Sequence, residues 1–378
     1  MKKNALIIAP NFPPINKVSS LRPYYLAMLL KDQGWQVTVI AAIDKEGNAG
    51  LVRSEEGIKV LRVASFFMAL IAILREFLGG VRFNVIVSTY GPTPAHFQGC
   101  FAKILFGKAI WLADYRDLWM SGSYYAPKKQ GFIHKLKQFV EKLILRKADI
   151  LTTVSLGLKN NLEKFHHKNV HVVYNGYEPI EKIEPQPVSM SESNGVQICY
   201  TGSMYFERSP FLLLNAIAEQ SKIYPNVTVK LVIAGVVSDD VKDQLKPYER
   251  DRLIEYKGKL SREASYELQR NSDYCLLVED YDATLQGVIP AKAFEYIGLE
   301  KPIIALGVAE SSEIAGIIQN TGLMAFCGRE RSKLNDFIAG LMQNEKVEFK
   351  KEAVFIASLE RNHQSQKFIA LLEQFQSK

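Results

Sequence analysis

The feature that most limits what this chain can fold into is a recurrence of short, unbroken apolar runs, each followed by residues at helical spacing. Residues 5–9, 37–41, 85–88, 110–113, 150–154 and 170–174 form a first set, and 196–200, 227–234, 253–256, 274–278, 302–306 and 323–327 a second. Runs that are continuously apolar, with no polar residue at alternate positions, belong to strands buried on both faces, and this is the signature of a parallel sheet. The stretch 21–34, with Leu21, Tyr25, Leu26, Leu29 and Leu30 on one helical face, joins two such runs as a βαβ unit. The fold class is therefore α/β, with two parallel sheets that helices cover.

Two cores also suit the length, because 378 residues exceed what one hydrophobic core usually supports. Residues 179–195 gather Pro, Ser and charge without period, the mark of a linker. The expected division is a first domain at 1–180, a linker at 181–195, a second domain at 196–345 and a C-terminal segment at 346–378. Within that last segment 347–375 contains no Pro or Gly, and it is expected to be helical and to pack back on the first domain.

Hydrophobic residues at 47% and charged residues at 23% exclude a disordered or fibrous chain. Cys100, Cys199, Cys275 and Cys327 lack the paired spacing of a metal site or disulfide framework and read as buried thiols in a reducing compartment. The apolar residues after Lys3 end at Pro10, too soon for a signal-peptide core, so the expected location is the cytoplasm. The longest uncharged apolar stretch, 63–74, is short of the roughly 20 residues that span a bilayer.

Charge is divided unequally. Residues 1–180 carry 24 Lys+Arg against 12 Asp+Glu, whereas 181–378 carry 23 against 28. A first half at +12 points to an anionic partner, and a nucleic acid is the least fitting one, since the basic residues come without interleaved aromatics. Phe132, Ile133, Leu136, Phe139, Val140, Leu143 and Ile144 form an apolar helical stripe among Lys128, Lys129, Lys135, Lys137, Lys142, Arg146 and Lys147. Such a helix suits an anionic bilayer surface and a core position with a solvated lysine face equally well.

Several segments carry candidate chemistry. YTGSMYFERSP at 200–210 leads from a strand into a helix, so Gly202, Ser203 and Arg208 offer a diphosphate site at a helix N-terminus, or else form a plain turn. GVIPAKAFEYIG at 287–298 opens a helix at Pro290 and sets Glu295 in an apolar run, where ribose hydroxyls, local backbone or Lys292 would satisfy it. Lys259 is a weak candidate for contact with a nucleotide base. Asp114, Arg116 and Asp117 follow an apolar strand, as an acceptor or catalytic set or as a structural ion pair. His96 follows another strand, and a lone His is more often structural. Asp280 and Asp282 have the D-x-D spacing of metal-dependent transferases of another fold, but no further ligands accompany them, so no metal is expected.

Taken in order, PNFPP at 10–14 with Arg22, ADYRDLW at 113–119, ADILTTVS at 148–155, YNGY at 174–177 and PAKAFEY at 290–296 make the chain resemble bacterial family 4 glycosyltransferases of the group 1 type. The resemblance implies a GT-B architecture, two Rossmann-like domains facing a cleft. It implies a nucleotide-sugar donor in the second domain, a lipid-linked or saccharide acceptor in the first, metal-independent chemistry with retention, and no cofactor. A role in bacterial surface polysaccharide synthesis at the inner face of a membrane fits it. Relatives pair two glutamates with seven residues between them; here Glu295 matches the second and Gly287 stands at the first. Their diphosphate-binding Arg and Lys fall on Ser203 and Ser209, which leaves Arg208 and Lys292 as substitutes. Where relatives carry a catalytic His, this chain has Arg116 and Asp117. A nucleotide-sugar epimerase and a catalytically silent scaffold are the competing expectations.

Overall fold

A strand buried on both faces must send alternate side chains into two different cores, and the first strand does so. Ala5 and Ile7 enter one apolar cluster, Leu6 and Ile8 the other, and all four are fully buried. In the computed structural model every strand pairing is parallel, in two separate sheets. The structure describes residues 3–15, 17–44, 57–90, 95–119, 131–179, 195–205, 208–345 and 347–376, with Tyr90 by its backbone only. The linker expected at 181–195 thus lies outside the described residues except for Gly195.

The chain divides into two compact units, one of Met1–Asn175 with Arg361–Lys378, the other of Gly176–Glu360. The first runs β1 (Asn4–Ile8), α1 (Val18–Asp32), β2 (Gln36–Ala42), β3 (Ile58–Val63), α2 (Phe66–Leu78), β4 (Val85–Tyr90), α3 (Ala95–Leu105), β5 (Ile110–Tyr115), α4 (Phe132–Leu145), β6 (Ile150–Thr153), α5 (Leu156–His166) and β7 (Val170–Val172). Its sheet has the order β3-β2-β1-β4-β5-β6-β7. The second unit runs β8 (Gly195–Thr201), α6 (Phe211–Ile223), β9 (Thr228–Ala234), α7 (Asp239–Arg250), β10 (Ile254–Gly258), α8 (Arg262–Arg270), β11 (Tyr274–Val278), α9 (Tyr281–Leu285), α10 (Ala291–Gly298), β12 (Ile303–Leu306), α11 (Glu313–Asn320), β13 (Met324–Gly328), α12 (Arg331–Met342) and α13 (Ala353–Ser358). Its sheet order is β10-β9-β8-β11-β12-β13. The last helix, α14 (Arg361–Gln376), returns to the first unit.

In the first unit α1 and α14 cover one face of the sheet, where Leu26, Leu30, Phe368, Ile369 and Leu372 join the core. On the other face lie α2 to α5, through Ala69, Ile73, Ala102, Leu145 and Leu162. The middle of α3 approaches the sheet closely because it carries Gly99. A Cβ there would sit 2.7 Å from the Trp111 indole nitrogen and 2.8 Å from the Ser88 hydroxyl.

Three features depart from the expectations. The edge strand β3 has no counterpart among the expected strands, since Lys59 and Arg62 interrupt its apolar run. Residues 347–375 are not one helix: α13 ends at Ser358 and α14 begins at Arg361, and the break coincides with the crossing between units. Cys199 and Cys275, distant in sequence, stand opposite each other on β8 and β11 with their sulfurs 3.6 Å apart.

Candidate functional site

In an open parallel sheet, ligands bind beyond the carboxyl ends of the strands where the strand order reverses. In the second unit that point lies between β8 and β11. The turn leaving β8 is tight. Gly202 has φ +125 and its amide donates to the Ala234 carbonyl at 2.8 Å, while a Cβ on Gly235 (φ +139) would overlap the Gly202 carbonyl. Only glycine satisfies both positions.

Around this turn the structure brings together Arg208, Lys292, Tyr200 and Glu279. The Lys292 ammonium, from the first turn of α10, donates to the Tyr200 hydroxyl at 2.8 Å and lies 4.0 Å from the centre of the Tyr200 ring. That hydroxyl in turn donates to the Ser203 carbonyl at 2.6 Å, so the turn, the strand end and α10 are fastened to one another. Arg208 reaches Glu279, at the end of β11, with an N···O distance of 3.2 Å. Burial lowers Lys292 to about 8, with Glu279 opposing the shift and Arg208 adding to it. Burial pushes the Glu279 carboxyl up, although Arg208 and Lys292 pull the other way. Two cations therefore converge beside a turn whose following helix, α6, starts without a side-chain cap, as does α10. That combination suits an anion carrying two or more charges.

Of the residues expected at a donor site, Gly202, Ser203, Arg208 and Lys292 come together, and Pro290 caps the helix that carries Lys292. Glu295 sits one turn further along α10 and is half-buried, where its apolar neighbours had suggested a deep position. Lys259 is exposed just beyond β10, two strands from β8. The buried carboxylate of this region is Glu279, which the sequence reading did not single out. Its one signal is a charged residue directly after five buried strand residues. Asp280 caps α9 by accepting from the Asp282 amide at 3.0 Å, which gives the D-x-D spacing a helix-capping role.

In the first unit Asp114 is a structural clamp. Its carboxylate accepts from Arg22 at 2.7 and 2.8 Å and from Thr152 at 2.8 Å. Burial alone would raise it, but the Arg22 guanidinium holds it below the usual carboxylate range. Arg22 also donates to the carbonyls of Val173 and Tyr174 and lies over the Phe368 ring, so this one residue ties α1, β5, the end of β7 and α14. Arg116 is half-buried in the field of Asp117 and Asp114, and Asp117 is exposed beyond the end of β5. His96 points inward, fully buried, with Nδ1 2.9 Å from the Ser88 hydroxyl and its ring on Tyr115. Burial lowers it to about 3, so it is neutral at ordinary pH.

The apolar stripe of α4 faces out. Phe132 is 81% exposed and Phe139 63%, with Ile133, Leu136 and Leu143 exposed as well, while Ile144 and Leu145 turn into the core. Lys135, Lys137, Lys142, Arg146 and Lys147 flank this stripe in the described residues; Lys128 and Lys129 lie outside them. α2 likewise exposes Phe67, Met68, Ile71, Leu74 and Leu78. No helix among the described residues is long and apolar enough to cross a membrane.

The family model of Glycosyltransferase Family 4 matches residues 23–180. Lipopolysaccharide outer core galactosyltransferase WaaB, in its apo form, is similar over 97% of this chain and 98% of its own, at 14% identity and a TM-score of 0.59. The catalytic domain of starch synthase IV from Arabidopsis thaliana, bound to ADP and acarbose, is similar over 100% of both chains at 11% identity and a TM-score of 0.60. A UDP-GlcNAc 2-epimerase from Methanocaldococcus jannaschii is similar over 99% of this chain and 100% of its own, at 13% identity and a TM-score of 0.57. No curated protein matches the sequence. Residues 23–180 are thus similar to Glycosyltransferase Family 4, in a chain whose two units share the GT-B fold of these solved structures.

Proposed function

We propose that the protein is a glycosyltransferase that binds a nucleotide-sugar donor in its second unit and delivers the sugar to a lipid-linked or saccharide acceptor at a membrane surface. The observation that carries the donor half is the convergence of Arg208 and Lys292 on the Gly202 turn at the switch point of the second sheet. A starch synthase of the same fold holds ADP, a nucleoside diphosphate. As the sugar–phosphate bond breaks, negative charge grows on the departing diphosphate, and two fixed cations in a partly dry site stabilise it more than the ground state. The reaction needs no covalent enzyme intermediate, and retention of configuration is the expected outcome. Glu295 would take the ribose hydroxyls, with Arg116 and Asp117 on the acceptor side.

The membrane half rests on the exposed faces of α2 and α4, the latter with its lysine rim, in the half of the chain that carries +12. Each basic residue near an anionic bilayer contributes on the order of 1 kcal/mol, so three or four give reversible attachment. Surface polysaccharide assembly is the setting in which such an acceptor occurs.

A panel of UDP-, GDP- and dTDP-sugars tests the donor reading. Binding to the native state alone raises the melting temperature, and Arg208→Ala should cut nucleoside diphosphate release by at least tenfold. If no nucleotide at millimolar concentration shifts the melting temperature, the donor site is misplaced. A changed sugar without release of diphosphate would favour epimerisation, the activity named for one structure of this fold.

A further inference from the structure

Glu279 has a property that no other residue at the site shares. Its side chain is wholly buried, yet none of the described residues donates a hydrogen bond to either of its carboxylate oxygens. Arg208 approaches one of them to 3.2 Å without hydrogen-bond geometry. A buried carboxylate with both oxygens unused is costly, and such groups are satisfied by partners that supply O–H or N–H. Burial favours its neutral form, which reflects the same deficit.

The surroundings specify the partner. Lys292 interacts electrostatically with two carboxylates, Glu279 from the end of β11 and Glu295 one turn along its own helix, and Arg208 is the charge nearest Glu279. Arg208 lies against Glu279, and Lys292, which shares α10 with Glu295, is in the field of both carboxylates. A nucleotide sugar has the complementary order: a hydroxylated ring, two phosphates, a second hydroxylated ring. With the phosphates on Arg208 and Lys292 and the ribose on Glu295, the second ring falls to Glu279.

We infer that Glu279 is a donor-specificity residue that accepts hydrogen bonds from hydroxyls of the sugar to be transferred, in a chain where Gly287 supplies no carboxylate. The inference rests on the donor-site reading above and adds to it the residue that recognises the sugar. Glu279 does not serve merely to hold Arg208 in place.

The test is titration calorimetry with UDP, GDP and dTDP, each beside its sugar esters UDP-glucose, UDP-galactose, UDP-N-acetylglucosamine, GDP-mannose and dTDP-rhamnose. Wild-type protein should bind one ester more tightly than the matching diphosphate. Glu279→Gln, which keeps the shape, should lose that margin, read as the ratio of ester to diphosphate affinity, by tenfold or more, with the melting temperature unchanged or higher. Glu279→Asp, which keeps the charge but withdraws it, should lose most of the margin too. A Glu279→Gln protein that retains the margin overturns the inference. So does one in which diphosphate and ester change equally, because Glu279 would then act only through Arg208. Wild-type protein that binds no nucleotide at all refutes the donor-site reading itself.

Discussion

At the scale of single residues, Lys292 makes the donor reading dependent on pH. Burial brings its ammonium down to about 8, so it is largely charged at pH 7 and mostly neutral at pH 9. Affinity for a nucleoside diphosphate should therefore fall as pH rises through 8, by up to about tenfold at pH 9. Lys292→Arg, whose guanidinium stays protonated, should flatten the profile even if it binds less well. Calorimetry at pH 7, 8 and 9 checks both, and a wild-type affinity that is level across this range would remove Lys292 from the site. The sequence singled out Arg208 and Lys292 because each stands in a turn-to-helix motif that has a chemical reading. Glu279 was not legible, because nothing in the local string says that a Glu after a strand is buried or unpartnered; both properties come from the packing of β12 and α10 against β11. His96 illustrates the converse. A histidine after a strand invites a catalytic reading, and only the packing of α3 on Tyr115 shows that it faces the core.

At the scale of elements, parallel strands announce themselves because both faces are apolar, whereas β3, an edge strand broken by Lys59 and Arg62, does not. Periodicity located the stripe of α4 but could not say which way it faces, since a core and a lipid surface select the same spacing. The exposure of Phe132, Leu136 and Phe139 resolves the direction. Changing these three to Ser should leave stability within about 0.5 kcal/mol, the usual range for surface substitutions. Sedimentation with vesicles containing anionic lipid should fall at least tenfold, as it should for Lys135→Glu with Lys142→Glu. The wild-type attraction should weaken with added salt. Equal binding to neutral and anionic vesicles, or unaltered binding by the triple variant, would contradict the membrane half of the proposal.

At the scale of the whole molecule, the chain crosses between units twice, at 175–176 and 360–361, and the two crossings are held together where Tyr177 bridges Glu360 and its amide donates to the Leu359 carbonyl at 3.1 Å. The second crossing delivers α14 to the first unit, where Phe368, Ile369 and Leu372 are almost completely buried. At about 1.5 to 3 kcal/mol for each such side chain, α14 contributes roughly 5 to 9 kcal/mol, comparable with the whole net stability of a domain. A protein ending at Glu360 should therefore lose protease resistance in residues 1–175 while the second unit keeps a cooperative transition; resistance retained in both would show α14 to be dispensable. The same arrangement sets an order of events on the ribosome. The second unit, Gly176–Glu360, is synthesised entirely between the two parts of the first. At about 5 to 20 residues per second that takes roughly 10 to 40 s. Throughout that interval the face awaiting α14 stands open to solvent and to chaperones, so the unit that is begun first is the last to be finished.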